Sequence, residues 1–292
     1  MPVWNLGSVN ADQVYRLPRP LEPGETMTAD SFQRGLGGKG ANMSVALARS
    51  GSVVHHIGAV GVDGAGMRDR LAGYGVGVAH LAERGETSGH AIILLDSEGE
   101  NRIVIWPAAN HLIETVDLEA ALGNAATGDW VLCQNETNLQ ADFARMARGL
   151  GLKVAYAAAP FDVEAAQAML PHTDLLVLNE VEAAQLETAT GLSPEALPAA
   201  HVVVTLGAQG CRCFDTVSGV SKDFPAPRVT VTDTTGAGDT FTGYLVGALD
   251  QGAGMEDALA LAVKAGAVMV TRLGTADAIP TRDEVEEFFL GA

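Results

Sequence analysis

The chain has 292 residues, 47% of them hydrophobic, and a formal net charge of −18. That is enough apolar material for one large core without disulfides or metal staples. The acidity argues against nucleic acid or an anionic membrane as partner, since Lys and Arg must neutralise phosphates in both cases, so any phosphorylated ligand must be held locally by backbone N–H groups, a helix N-terminus or a metal ion.

The start, Met1 to Asp12, lacks the basic flank and apolar core of a secretory signal, and no run approaches a membrane span, so a cytoplasmic protein is expected. Gly7-Ser8-Val9-Asn10-Ala11-Asp12 reads as the end of a first strand. If that strand continues, Asn10 and Asp12 share a face and offer donors and acceptors suited to a polyol, although Asx residues closing a strand are ordinarily turn formers. The stretch Gln13–Phe32, with Pro18, Pro20 and a Pro23-Gly24 turn, departs from regular structure.

Gly37-Gly38-Lys39-Gly40-Ala41-Asn42 opens a helix running to about Ser50 and stopping at Gly51. Lys39 and Asn42 are three apart and share a face, where a lysine, an amide and bare glycine backbone suit sugar hydroxyls. Neither a Walker A loop nor a dinucleotide fingerprint has this spacing, and an ordinary glycine-rich turn is the competing reading. Next come β-rich runs at Val53–Val60, Trp130–Cys133, Val154–Ala157, Leu175–Leu178 and Val202–Leu206. Each precedes a stretch of helical spacing or strong helix formers, which predicts parallel strands with crossover helices. Ser88–Trp106 interrupts the series as a hairpin, with Ile92–Leu95 and Ile103–Trp106 flanking a polar tip, Asp96–Arg102. Segments 13–36 and 87–107 together are expected to form a small sheet standing off one main domain, 1–292.

Glu136 follows the run Trp130–Cys133, and Asn179-Glu180-Val181-Glu182 follows Leu175–Leu178, at strand ends where α/β folds collect ligands. Asn179 and Glu182, three apart, could hold the waters of a magnesium ion. Cys133, Cys211 and Cys213 cannot all pair and lack zinc spacing, so they read as reduced structural thiols. The histidines, among them the pair His55-His56, read as packing or surface residues.

Asp233-Thr234-Thr235-Gly236-Ala237-Gly238-Asp239 follows a β-rich run, Arg228–Thr232, and opens an apolar helix, Thr240–Leu249. A second apolar helix, Asp257–Thr271, and an amphipathic one, Arg282–Leu290, complete the chain. Glycines here let the N–H groups of Gly236, Ala237 and Gly238 converge on an oxyanion at a helix start. Asp239 places a carboxylate beside that cradle, which suits general base catalysis on a hydroxyl. One helix cap needs one acidic residue, and two flank this Gly-Ala-Gly centre.

Taken together, Gly7–Asp12, Pro23-Gly24-Glu25-Thr26, Gly37–Asn42, Gly61-Val62-Asp63-Gly64-Ala65-Gly66, Asn179–Glu182, Thr205-Leu206-Gly207 and Asp233–Asp239 resemble the ribokinase branch of the ribokinase/PfkB carbohydrate kinase family over nearly the whole chain. The resemblance implies a three-layer α/β/α sandwich with a mostly parallel central sheet and a small β-sheet lid, working as an ATP-dependent sugar kinase. By that likeness Asn10, Asp12, Gly38, Lys39, Asn42 and Glu136 hold the sugar. Asp239 takes the proton of its primary hydroxyl while the N–H groups of Gly236, Ala237 and Gly238 stabilise the transferring charge. Asn179 and Glu182 organise Mg2+ and phosphates; Thr205, Gly207, Gly210 and Gly238 lie along the ATP.

A K+ site is implied at Asp233, Thr235 and the loop holding Met269, Arg272 and Gly274, with Ala278 standing where a serine oxygen is expected. Two other departures are Ala157-Ala158-Ala159-Pro160, where an Asn-Pro pair is usual, and a short Thr188–Ala200 segment. The implied acceptor is D-ribose or a similar sugar, with fructokinase-like, nucleoside and other sugar kinases as alternatives within the class. A non-catalytic sugar-binding sensor is the alternative outside it. Lid edges suggest a homodimer.

Overall fold

The computed structural model describes residues 1–97 and 100–290. Among them, nine strands form the main sheet: β1 (Val3–Leu6), β4 (Val54–Val60), β5 (Gly77–Glu83), β8 (Trp130–Cys133), β9 (Lys153–Ala157), β10 (Leu175–Asn179), β11 (His201–Thr205), β12 (Cys211–Asp215) and β13 (Val220–Phe224). Their order is β13-β12-β11-β10-β9-β8-β1-β4-β5, parallel from β11 to β5 and antiparallel at β12 and β13. Strands covered on both faces read as continuous apolar runs. In β10, Leu175 and Val177 enter one core and Leu176 and Leu178 the other.

The first core is shared with α1 (Lys39–Arg49), α2 (Ala65–Gly73), α7 (Ala237–Asp250), α8 (Met255–Met269) and α9 (Arg282–Leu290). On the opposite face lie α3 (Thr115–Leu122), α4 (Gln140–Gly149), α5 (Val163–Met169) and α6 (Glu180–Thr190). Helix α7 is buried nearly all round, as its uniform apolarity requires. It packs directly on α1, because a Cβ at Gly243 would stand 2.4 Å from the Ala46 Cβ and 2.8 Å from the Met43 carbonyl.

The second sheet, ordered β3-β2-β6-β7, consists of β2 (Asn10–Arg16), β3 (Ser31–Gly37), β6 (Gly89–Leu95) and β7 (Asn101–Trp106). It is the small sheet expected from the two irregular segments, though part of the polar tip, residues 98 and 99, lies outside the described residues. Phe32, Ile103, Val104, Ile105 and Trp106 are exposed on it.

Four local expectations differ from the structure. The first strand stops at Leu6, and Asn10 and Asp12 open a separate strand in the lid, because the chain must leave the sheet at Gly7 to let α1 cross it. Val202–Leu206 leads not to a helix but to the antiparallel pair β12 and β13. Arg228–Thr232 pairs with no strand among the described residues: Val229 and Val231 wall a cleft, and the N–H groups of Thr232 and Asp233 both donate to the Val270 carbonyl at the end of α8. Helices α7 and α8 begin at Ala237 and Met255, before the predicted starts, since Gly236 adopts a left-handed cap with φ 74° and Gly254 caps α8.

All three cysteines are buried and unpaired, with burial pushing the Cys133 and Cys211 thiols up to about 12 and Cys213 to about 11. His56 is fully buried and held neutral, its pKa lowered by burial to about 4. The chain from Thr188 to Ala200 carries only the end of α6 and one short 3-10 turn, Pro194–Ala196. Among the described residues no helix is long and apolar enough to cross a membrane.

Candidate active site

Strand order reverses at β1, which leads on one side to β4 and has β8 on the other, and α/β sheets gather ligands at the carboxyl ends of strands at such a point. There the chain after β1 meets the start of α1 backbone to backbone. A Cβ at Gly40 would lie 2.4 Å from the Gly7 Cα, so both positions demand glycine. The Ala41 N–H donates to the Ser8 carbonyl at 2.8 Å, and Gly38 caps α1 with φ 92°. Glu136, just past β8, closes the corner: its Oε2 accepts from the Ser8 hydroxyl at 2.5 Å and from the Lys39 N–H at 2.9 Å. A carboxylate at an α-helix N-terminus is favoured by the dipole as well as by the free N–H groups.

Below this corner runs a fully buried polar chain. Gln134 donates to Asn5 Oδ1, Asn5 donates to Ser44 Oγ and the Gly40 carbonyl, and Ser44 and His56 pair. Since the Gly7 carbonyl only accepts, His56 Nε2 is the donor at 3.1 Å and Nδ1 accepts from Ser44.

Asn42 Nδ2 donates to Asp239 Oδ2 at 2.8 Å, joining two glycine motifs 197 residues apart. Both side chains are buried, and Asn42 Oδ1 is sealed without a partner among the described residues. Beside Asp239, α7 starts at a left-handed Gly236, and the N–H groups of Gly236, Gly238 and Asp239 take no acceptor among the described residues, whereas the Ala237 N–H, expected in the cradle, closes a turn by donating to the Thr234 carbonyl at 3.3 Å. A carboxylate next to free helix N–H groups can deprotonate a hydroxyl while an anionic group is held.

Lys39 has a raised pKa because the Asp239 carboxylate faces it, with Glu136 and Glu182 adding and burial opposing. Asp12 is pushed up to about 7, first by burial and then by Glu136 and Asp239. Its carboxylate occupies the space over Gly37, where a Cβ would lie 2.0 Å from Oδ2. Thus Asp12, Lys39, Asn42, Glu136 and Asp239 form one coupled cluster of polar and charged side chains.

A neighbouring cleft of about 560 Å³ runs from β11 to α7 and α8. Thr205, Gly207, Gly210, Ala237 and Gly238, all singled out from sequence, line it. Its apolar wall includes Val229, Val231 and Phe241, and Arg228 contributes a cation. Asn179 and Glu182 do not line this cleft. They cap α6 reciprocally, Asn179 Oδ1 accepting from the Glu182 N–H and Glu182 Oε2 from the Asn179 N–H, each at 2.8 Å. Glu182 still feels the site: burial raises its pKa, as does Asp239, while the Asn179 N–H and Lys39 oppose.

Asp233 accepts from the Thr235 N–H at 2.9 Å and from the Gly274 N–H at 3.3 Å, which draws the loop after α8 toward α7. Met269 packs near Gly236, whereas the Arg272 guanidinium turns away to Glu284, leaving only its backbone for this place. Carboxylate and carbonyl oxygens are donors suited to K+, and the Ala278 side chain adds none. Among the described residues no group of three or more His, Cys, Asp or Glu could hold a metal ion.

Two residues of the site were not marked by the sequence reading. Ser8 belongs to the Gly7–Asp12 stretch, where its spacing alone points to no role. Asn110, in the short turn after β7, donates from Nδ2 to Asn10 Oδ1 at 2.7 Å, and its only sequence signal is an Asn following the Pro107 turn.

Residues 3–282 match the model of the family described as pfkB family carbohydrate kinase. Curated relatives include the ribokinase of Haemophilus influenzae, 35% identical with 97% of this chain and 96% of that protein covered, and the ribokinase of Bacillus subtilis, 35% identical with 97% of each covered. Among solved structures, the ribokinase of Cryptococcus neoformans in complex with ADP superposes with a TM-score of 0.87 at 29% identity, covering 99% of both chains. The Arabidopsis thaliana ribokinase complexed with ribose and ATP gives 0.85 at 28%, covering 98% of this chain and 97% of that one.

Proposed function

Since the chain belongs to the pfkB family of carbohydrate kinases and is a phosphotransferase with an alcohol acceptor, we propose that it moves the γ-phosphoryl group of ATP to the primary hydroxyl of D-ribose. The observation that carries this reading is the 2.8 Å bond from Asn42 to Asp239, which sets a base from α7 against the polar pocket built on α1. The ribokinase relatives at 35% identity support ribose as the acceptor.

In this reading Asn10, Asp12, Gly38, Lys39, Asn42 and Glu136 bind the sugar so that its primary hydroxyl meets Asp239. Asp239 accepts the hydroxyl proton as that oxygen bonds to the γ-phosphorus and the bond from phosphorus to the β-phosphate oxygen breaks, releasing ADP. The N–H groups of Gly236 and Gly238, with that of Asp239, hold the charge that builds on the transferring group, and the Ala237 N–H joins them only by leaving the Thr234 carbonyl. ATP lies in the adjoining cleft along Thr205, Gly207 and Gly210, which places its phosphates at the start of α7. Glu182 with Asn179 would hold Mg2+ through water, and Mg2+ when bound neutralises phosphate charge. Asp233 and the carbonyls of Thr235, Met269, Arg272 and Gly274 would hold K+ beside the cradle.

The lid closes over the sugar and excludes water, the competing acceptor. Its exposed residues on β3 and β7 pair with a second copy to make a homodimer.

The test is ATP turnover over a panel of pentoses, hexoses and nucleosides, with K+ and with Na+ in its place. D-ribose is expected to give the highest kcat/KM, and K+ to raise it. Preference for another member of the panel would reject ribose, and equal rates in the two salts would reject the K+ site.

A further inference from the structure

Building on the reading of Asn10 as a sugar ligand, we propose that Asn110 is a positioning residue: it fixes the Asn10 amide so that its N–H donors, not its oxygen, face the sugar. An amide has two ends of nearly equal shape, and only its partners decide which way it points. Here one partner is unambiguous. The Val9 main-chain N–H can only donate, and it donates to Asn110 Oδ1 at 2.9 Å. Asn110 Nδ2 is then the group facing Asn10, so the atom of Asn10 that meets it at 2.7 Å must be Oδ1. Orientation thus passes from backbone to Asn110 to Asn10, leaving Asn10 Nδ2 without a partner among the described residues. Unlike Asn42 Oδ1, that nitrogen is not sealed from solvent.

The surroundings hold this relay rigidly. Asn10 and Asn110 are both buried, and Gly89 packs on the pair: a Cβ there would lie 2.1 Å from Asn110 Nδ2 and 2.4 Å from Asn10 Oδ1. Val9 precedes β2, Gly89 opens β6 and Asn110 follows β7, so one pair of amides ties three roots of the lid together.

A donor at this point has a chemical use. An ionised Asp12 accepts only, so a sugar hydroxyl that donates to Asp12 has lone pairs left for its second partner. Asn10 presenting N–H meets them, and Asn10 presenting oxygen does not. A buried polar group facing a mismatched partner loses much of the affinity of the matched one.

The test is Asn110→Asp, assayed at pH 8 with D-ribose or the fastest sugar of the panel. The introduced carboxylate keeps an acceptor for the Val9 N–H but cannot donate, so the Asn10 amide turns over to donate to it. The sugar KM is expected to rise by about ten- to a hundredfold with kcat within about threefold. In an Asn10→Ala background the same change should move KM less than about twofold, a coupling that a merely structural role would not produce.

Asn10→Asp leaves Asn110 in place and puts an oxygen where the N–H stands, and it should reproduce the rise even if Asn110→Asp fails to fold. An unchanged KM in folded Asn110→Asp, an equal rise in both backgrounds, or no rise in Asn10→Asp overturns the proposal. If Asn10→Ala itself leaves KM unaltered, the reading of Asn10 as a sugar ligand fails, which is a separate result.

Discussion

Gly238 has no side chain, yet among the described residues no atom lies within 4 Å of where a Cβ would stand, and its φ is not in the left-handed region. Alanine there suits the fold and, by helix propensity, should leave stability unchanged or raise it by up to about 1 kcal/mol. If the space belongs to a phosphoryl group, Gly238→Ala should lower kcat by about tenfold or more while the melting temperature holds. Full activity would show that the cradle lies elsewhere.

Asp239→Asn keeps the shape of the side chain but cannot take a proton; kcat is expected to fall by about a thousandfold or more, with sugar affinity within a few-fold by calorimetry. Asp12 makes a prediction about pH. Its folded pKa, about 7, is raised above an ordinary 3.8, so its contribution to stability is full below about pH 4 and is lost as pH rises through 7. Relative to wild type, sugar-free Asp12→Asn should therefore gain about 2 to 3 kcal/mol between pH 5 and pH 8 in urea unfolding. Parallel stability curves would show that the carboxylate is not desolvated.

Helices α1 and α7 carry the two halves of the site, and their separation is set by Gly243. Gly243→Ala must push them apart, which should cost about 1 to 3 kcal/mol and, by moving Asp239 relative to Lys39 and Asn42, about tenfold or more in kcat/KM. Gly66→Ala, at an exposed position of α2 with open space around it, is the contrasting case and should be neutral or slightly stabilising. Legibility differed by element in the same way. The existence of α1, α7 and α9 was readable because glycine motifs open the first two and an amphipathic pattern marks the third, whereas Arg228–Thr232 looked like a strand because Val229 and Val231 are β-formers. Their apolar side chains instead wall a cleft, a use that propensity alone cannot separate from sheet packing.

At the scale of the molecule, the lid exposes Val104 at 67% and Trp106 at 60% on its edge strand β7, more apolar surface than an isolated sheet edge usually leaves open. Val104→Lys should shift sedimentation from dimer to monomer at micromolar concentration while the unfolding of the main sheet stays the same. A wild-type monomer at that concentration would remove the dimer from the account.

The sequence by itself determined the alternation of strands and helices, the two glycine-rich helix starts and the carboxylate at 239, because periodicity, turn residues and caps are local properties written within a few positions. Only the tertiary structure decided that Asn42 holds Asp239, that Asn10 and Asp12 belong to the lid, and that Asn110 faces Asn10. Those relations join residues a hundred or more positions apart or turn on where the chain leaves the sheet. Packing of the two cores sets them, and no local pattern in the chain records it.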